Sequence, residues 1–76
     1  MVVQVYSTAA CPYCHRVKEY LASKGIAYQN MDISTDQEAS KKMIEISGQM
    51  GVPVIVIDGE VIVGFDKTAI DTALGA

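Results

Sequence analysis

Cys11-Pro12-Tyr13-Cys14 is the stretch of this sequence whose residue types and spacing can do chemistry. Disulfide exchange needs a thiolate, an open face for attack, and a second thiol to resolve the mixed disulfide. A lone C-x-x-C is a modest signal, because two cysteines also serve as small buried hydrophobes or as half of a metal site. Placement raises its weight: a β-branched run precedes the motif, and a helix opens at Cys11-Pro12 within a β-α-β pattern. Cys11 then sits at the helix N-terminus, where unpaired N–H groups and the positive dipole end favour an anion. Cys14 falls one turn further in, sharing a face with Val17 and Leu21 at i, i+3 and i+7, and that face is the buried one. These placements make Cys11 the expected nucleophile and Cys14 the expected resolving thiol. A structural zinc site usually takes four ligands. The chain has two Cys and one His, with His15 next to Cys14, so no metal is expected. His15 and Arg16 either bias the thiol electrostatically or face solvent, and the solvated reading is preferred.

The surrounding elements must hold that dithiol. Val2 to Tyr6 reads as the first strand. The helix from Cys11-Pro12 runs to about Lys24: Pro12 suits the first helical position, and Gly25 is a stop signal. Ile26 to about Ile33 reads as the second strand. Two overlapping capping boxes, Ser34…Gln37 and Thr35…Glu38, start a helix with Ala39, Met43, Ile46 and Met50 on one stripe, fraying near Ser47-Gly48. The methionines are read as core filler. Val54 to Ile57 and Glu60 to Val63 flank Asp58-Gly59, a strong hairpin signal. Asp66 can cap a last helix with Ile70, Ala73 and Leu74 on one face. The order is β-α-β-α-β-β-α. A helical crossover makes the first two strands parallel, the last two form an antiparallel hairpin, and a mixed four-stranded sheet with helices on both faces follows. Pro53 precedes a strand, where proline is ordinary. The alternative is a cis Val52-Pro53 bond that sets the Val52 backbone beside the dithiol, where an extended substrate could pair with it.

Length and charge narrow the functions. The chain has 76 residues, half of them apolar, and is read as a single domain over residues 1–76. A domain this small buries only about 60% of its unfolded surface, so a substrate must be met in a shallow groove. The net charge is −3 and Lys41-Lys42 is the one adjacent basic pair, which argues against nucleic-acid binding. No stretch approaches the roughly 18 apolar residues of a membrane span. The first residues lack a basic region and a long apolar run, so they read as a strand and not a signal peptide. A cytoplasmic location is expected, and there a cysteine pair is more often catalytic or metal-binding than structural.

C-P-Y-C-H at the helix start, G-V-P before a strand, and Gly64-Phe65-Asp66 after the hairpin together resemble a glutaredoxin over nearly the whole chain. The resemblance implies the thioredoxin fold with strand order 2-1-3-4, and a cis bond before Pro53. It implies a glutathione groove in which Tyr13 flanks the ligand and the Val52 backbone, beside Pro53, pairs with its cysteine portion. Gly64, Phe65 and Asp66 would hold its γ-glutamyl end through backbone N–H groups and the Asp66 carboxylate. Helix capping is the plainer role for Asp66, and the two are compatible. Pro12, Tyr13 and Pro53 would support the dithiol.

Three departures weaken the groove. Ser7-Thr8-Ala9-Ala10 lacks the Lys or Arg that many glutaredoxins carry before the first Cys, Gly51 replaces the Thr of T-V-P, and Val63-Gly64 replaces Gly-Gly. Gly64-Phe65 and the stretch from Asp32 to Ala39 are instead similar to the redoxins that serve ribonucleotide reductase, which are typically recharged by thioredoxin reductase. The expected function is therefore reduction of protein disulfides or glutathione mixed disulfides, with glutathione as co-substrate. The alternative is a glutathione-independent electron carrier recharged by thioredoxin reductase. An iron–sulfur carrier, with a cluster bridged across a dimer, is disfavoured by the stiffening at Pro12. The expected partners are glutathione and disulfide-containing or glutathionylated proteins, ribonucleotide reductase among them, met by a monomer.

Overall fold

The computed structural model describes residues 2–75; the ends of the expected 1–76 domain, Met1 and Ala76, lie outside the described residues. Its elements are β1 (Val3–Ser7), α1 (Pro12–Ser23), β2 (Gln29–Asp32), α2 (Gln37–Ser47), β3 (Val54–Ile57), β4 (Glu60–Val63) and α3 (Lys67–Leu74). They form one four-stranded sheet in the order β2-β1-β3-β4. β1 is parallel to β2 and antiparallel to β3, and β3 is antiparallel to β4. This is the thioredoxin-type arrangement, in the strand order that the resemblance to glutaredoxins implies.

Strand alternation sorts the core into two layers. Val3 and Val5 share a face with Ile55, Ile57 and Ile62, covered by Val17 and Leu21 of α1 and Ile70 of α3. Tyr6 and Val54 point the other way, against Ala39 and Met43 of α2. Each Val, Leu, Ile or Met among them, fully buried, contributes roughly 1.5–3 kcal/mol.

Local chemistry sets the element ends. α1 closes in a Schellman motif: Gly25 takes φ +71°, its N–H donates to the Ala22 carbonyl at 3.0 Å, and the Ile26 N–H donates to the Leu21 carbonyl at 3.0 Å. Ile26 is thereby held in that cap, and β2 begins only at Gln29, three residues later than expected. The second helix also starts later than its capping-box signals. Ser34 donates from its N–H and its hydroxyl to Asp32 Oδ1 at 3.0 and 2.6 Å, which keeps it in a turn. Asp36 is the true N-cap, accepting from the Ala39 N–H at 3.1 Å. The same helix ends at Gly48, with φ +74°, so the expected stripe stops at Ile46 and Met50 lies 72% exposed.

The Asp58-Gly59 turn has positive φ at both residues, 48° and 87°, as a type I′ hairpin requires. Asp58 also ties down the chain start: its carboxylate accepts from the Val2 N–H at 2.7 Å, and its own N–H donates to the Val2 carbonyl at 2.9 Å. Among the described residues, no helix is long and apolar enough to cross a membrane.

Candidate active site

The end of β1 delivers the chain to the N-terminus of α1, and there the two cysteines meet. Cys11 is the N-cap residue, in extended backbone, and Pro12 opens the helix. Cys11 Sγ accepts the Cys14 N–H at 3.3 Å. A sulfur here does the work that Ser or Asp oxygens usually do, satisfying an orphan donor of the first turn. Cys11 Sγ also points toward the Val52 carbonyl, 3.9 Å away. It is half-buried, whereas Cys14 is fully buried on the face that carries Val17 and Leu21.

The environments of the two thiols therefore differ. Burial, and then the hydrogen bond to Cys11 and the charge on Cys11, push the Cys14 thiol up to about 11, while a backbone hydrogen bond from Thr8 and the charge of Lys18 pull the other way. The expected roles need this asymmetry, with one thiol reachable and one withheld.

Of the other expected residues, Val52 reaches Cys11, through its carbonyl. The Val52-Pro53 bond is cis. Pro53 is buried, and its carbonyl accepts the Gly64 N–H at 2.8 Å, which links the end of the hairpin to the segment facing Cys11. Gly64 has φ +80°, the reason for a glycine at this position. Tyr13 stands 58% exposed beside the dithiol. Asp66 has the plainer role: it caps α3, accepting the Ala69 N–H at 3.1 Å. Phe65 packs edge-on against Tyr20 at a centroid distance of 5.9 Å. His15 and Arg16 are exposed, as the solvated reading expects. Even so, His15 Nε2 lies 3.1 Å from the Ala9 carbonyl, and the Arg16 guanidinium lies over the Tyr13 ring.

Two contacts here have no sequence signal. The Gln49 side-chain amide clasps Gly51, accepting its N–H at 3.2 Å and donating to its carbonyl at 3.1 Å. A Cβ at Gly51 would meet Gln49 Oε1 at 2.8 Å, so the Gly of G-V-P goes with this clasp. Among the described residues, Ser7 is the one buried polar residue of the core, and it donates to Asn30 Oδ1 at 2.8 Å. Among the described residues, no cluster of His, Cys, Asp and Glu is placed to hold a metal ion.

Residues 3–62 match the Glutaredoxin family model. The chain belongs to the glutaredoxin family. It is 46% identical over 70 residues to a glutaredoxin-like 8.6 kDa protein in the rubredoxin operon of Clostridium pasteurianum, covering 92% of this chain and 93% of that one. It is 42% identical over 64 residues to glutaredoxin 3 of Escherichia coli K12, covering 84% of this chain and 77% of that one. Among solved structures, a mutant of the thioredoxin-like protein BC3987 superposes with a TM-score of 0.91 at 33% identity, covering 96% of this chain and 94% of that one. The chain is thus a glutaredoxin-like redox protein with a C-x-x-C site.

Proposed function

We propose that this protein is a thiol–disulfide oxidoreductase that reduces protein disulfides and glutathione mixed disulfides through Cys11 and Cys14, with glutathione as the reductant. The observation that carries this reading is the contrast between a half-buried Cys11 sulfur at the helix cap and a fully buried Cys14 thiol pushed up to about 11.

The chemistry follows from that contrast. The Cys11 thiolate attacks one sulfur of the substrate disulfide, the substrate S–S bond breaks, and the departing thiolate takes up a proton. The product is a mixed disulfide on Cys11. Its formation removes the negative charge beside Cys14, which eases deprotonation there. The Cys14 thiolate then attacks Cys11 Sγ and releases the second substrate thiol. Two electrons have moved to the substrate, and the enzyme holds a Cys11–Cys14 disulfide. Two molecules of glutathione return it to the dithiol and leave as glutathione disulfide. In the groove, the Val52 backbone would pair with the cysteine portion of glutathione, and Tyr13 would flank it. The Gly64 N–H is committed to Pro53, so the Phe65 and Asp66 amides are the donors proposed for the γ-glutamyl carboxylate. On this reading the protein works in the cytoplasm as a monomeric single domain.

The uncharged loop before Cys11 favours a second reading, a carrier recharged by thioredoxin reductase and serving ribonucleotide reductase or similar disulfide proteins. A side-by-side recharge assay separates the two. Fast turnover with glutathione and glutathione reductase, and slow turnover with thioredoxin reductase, supports the first. The opposite pattern installs the second.

A further inference from the structure

We propose that the groove on the outer side of α1 is a docking cleft for an acidic segment flanking the disulfide of a protein substrate. The proposal rests on the thiol–disulfide reading above and names its substrate class. The groove, of about 360 Å³, is lined by Arg16, Glu19, Tyr20, Ser23 and Phe65. It runs along α1 away from the strip assigned to glutathione and meets that strip at Phe65. Its near end touches the active site: the Arg16 guanidinium lies 5.5 Å from the centroid of Tyr13, between the two cysteines in sequence.

Its lining holds one cation, Arg16, and one acid, Glu19, and two further cations stand at its margin over Tyr20. Lys24 and Lys67 each hold their ammonium 5.2 Å from the centroid of the Tyr20 ring. Arg16, Lys24 and Lys67 are half of the Lys and Arg residues of a chain whose net charge is −3. Two acids oppose them. Asp71 is already engaged, accepting from the Tyr20 hydroxyl and pairing with Lys24 at 3.4 Å. Glu19 lies on the groove lining. Among the described residues, neither Arg16 nor Lys67 forms an ion pair. The cleft thus offers Arg16 on its lining and Lys67 at its margin, beside an aromatic wall of Tyr20 and Phe65.

That combination suits a chain segment with carboxylates and one apolar side chain. The carboxylates would meet Arg16 and Lys67, and the apolar group would lie on Tyr20 and Phe65. Arg and Tyr are also the residue types that dominate binding hot spots. From Tyr13 to Ser23 the helix spans about 15 Å, the reach of four or five extended residues. Such a cleft acts on encounter and orientation more than on the chemical step.

The test uses pre-reduced protein in single-turnover reaction with two disulfide peptides, so it does not depend on the physiological reductant. The peptides differ only in the flanking run, Glu-Phe-Asp-Glu in one and Gln-Phe-Asn-Gln in the other. At about 50 mM salt the acidic peptide should react about fivefold faster, and the advantage should vanish at about 500 mM. Arg16→Glu should abolish the preference, and Ser23→Glu should abolish it while leaving the rate on the neutral peptide within about twofold. Equal rates on the two peptides in the unmutated protein, or a preference that survives in either variant, would overturn the cleft while leaving the oxidoreductase reading intact. Failure to reduce either peptide would overturn both.

Discussion

The withheld state of Cys14 has a measurable size. A thiol that titrates at about 11 is ionised to about one part in ten thousand at pH 7. An ordinary exposed thiol, near 8.5, is ionised to about three parts in a hundred, a difference of about 300-fold before access is considered. Full burial of Cys14, on the α1 face that carries Val17 and Leu21, widens the gap, since alkylation then requires an opening of α1. Reduced protein treated with iodoacetamide at pH 7, quenched at intervals and mapped by peptide mass, should carry the label on Cys11. Cys14 should lag by at least about a hundredfold. In urea the two rates should converge. Comparable labelling of both cysteines in protein shown by circular dichroism to be folded would refute the argument from burial.

Other consequences can be checked separately. The raised Cys14 pKa means that the folded state holds this proton more tightly than the unfolded state. Stability from the neutral thiol is thus complete below about 9 and lost as pH rises through about 11. In urea titrations, the stability difference between the reduced protein and Cys14→Ala should shrink across that window. Asp36→Ala should cost about 1 kcal/mol by removing the α2 cap, whereas Ser34→Ala should stay within about 0.5 kcal/mol; the reverse ranking would restore the capping box. Leu21→Ala, at a fully buried site between α1 and the sheet, should cost about 2–5 kcal/mol in the same assay. The Tyr20 hydroxyl is the main cause holding the Asp71 carboxyl below its ordinary range, so Tyr20→Phe should raise the Asp71 pKa measured by NMR.

The sequence made the dithiol legible because its cues are local and agree. The C-x-x-C spacing, the proline at the first helical position and the preceding β-branched run all point to one junction. The hairpin was legible for the same reason, since Asp58-Gly59 fits one turn type. Where two local cues competed, the winner depended on contacts across space. Ser34 and Thr35 are good caps, but the Asp32 carboxylate at the end of β2 binds Ser34 and passes the cap to Asp36. Ile26 has strand propensity, but the turn after α1 uses it. Met50 continues a helical stripe on paper, yet Gly48 stops the helix before reaching it. The Gln49 clasp on Gly51 and the basic groove along α1 were invisible, because neither follows from spacing along the chain.

The central claim is that Cys11 attacks and Cys14 resolves, and the Cys14→Ser variant tests it most directly. Serine at position 14 leaves the Cys11 sulfur at the helix cap, while Cys11→Ser keeps a good cap without a thiol and serves as the folded, inactive control. Both variants and the unmutated protein should be assayed with glutathione on a glutathionylated peptide and on a protein disulfide. Cys14→Ser should retain activity on the glutathionylated peptide, where a second glutathione can resolve the intermediate, and lose most activity on the protein disulfide. Cys11→Ser should lose both. Retention of either activity by folded Cys11→Ser would contradict the assignment of the nucleophile. Undiminished reduction of the protein disulfide by Cys14→Ser would contradict the two-thiol route.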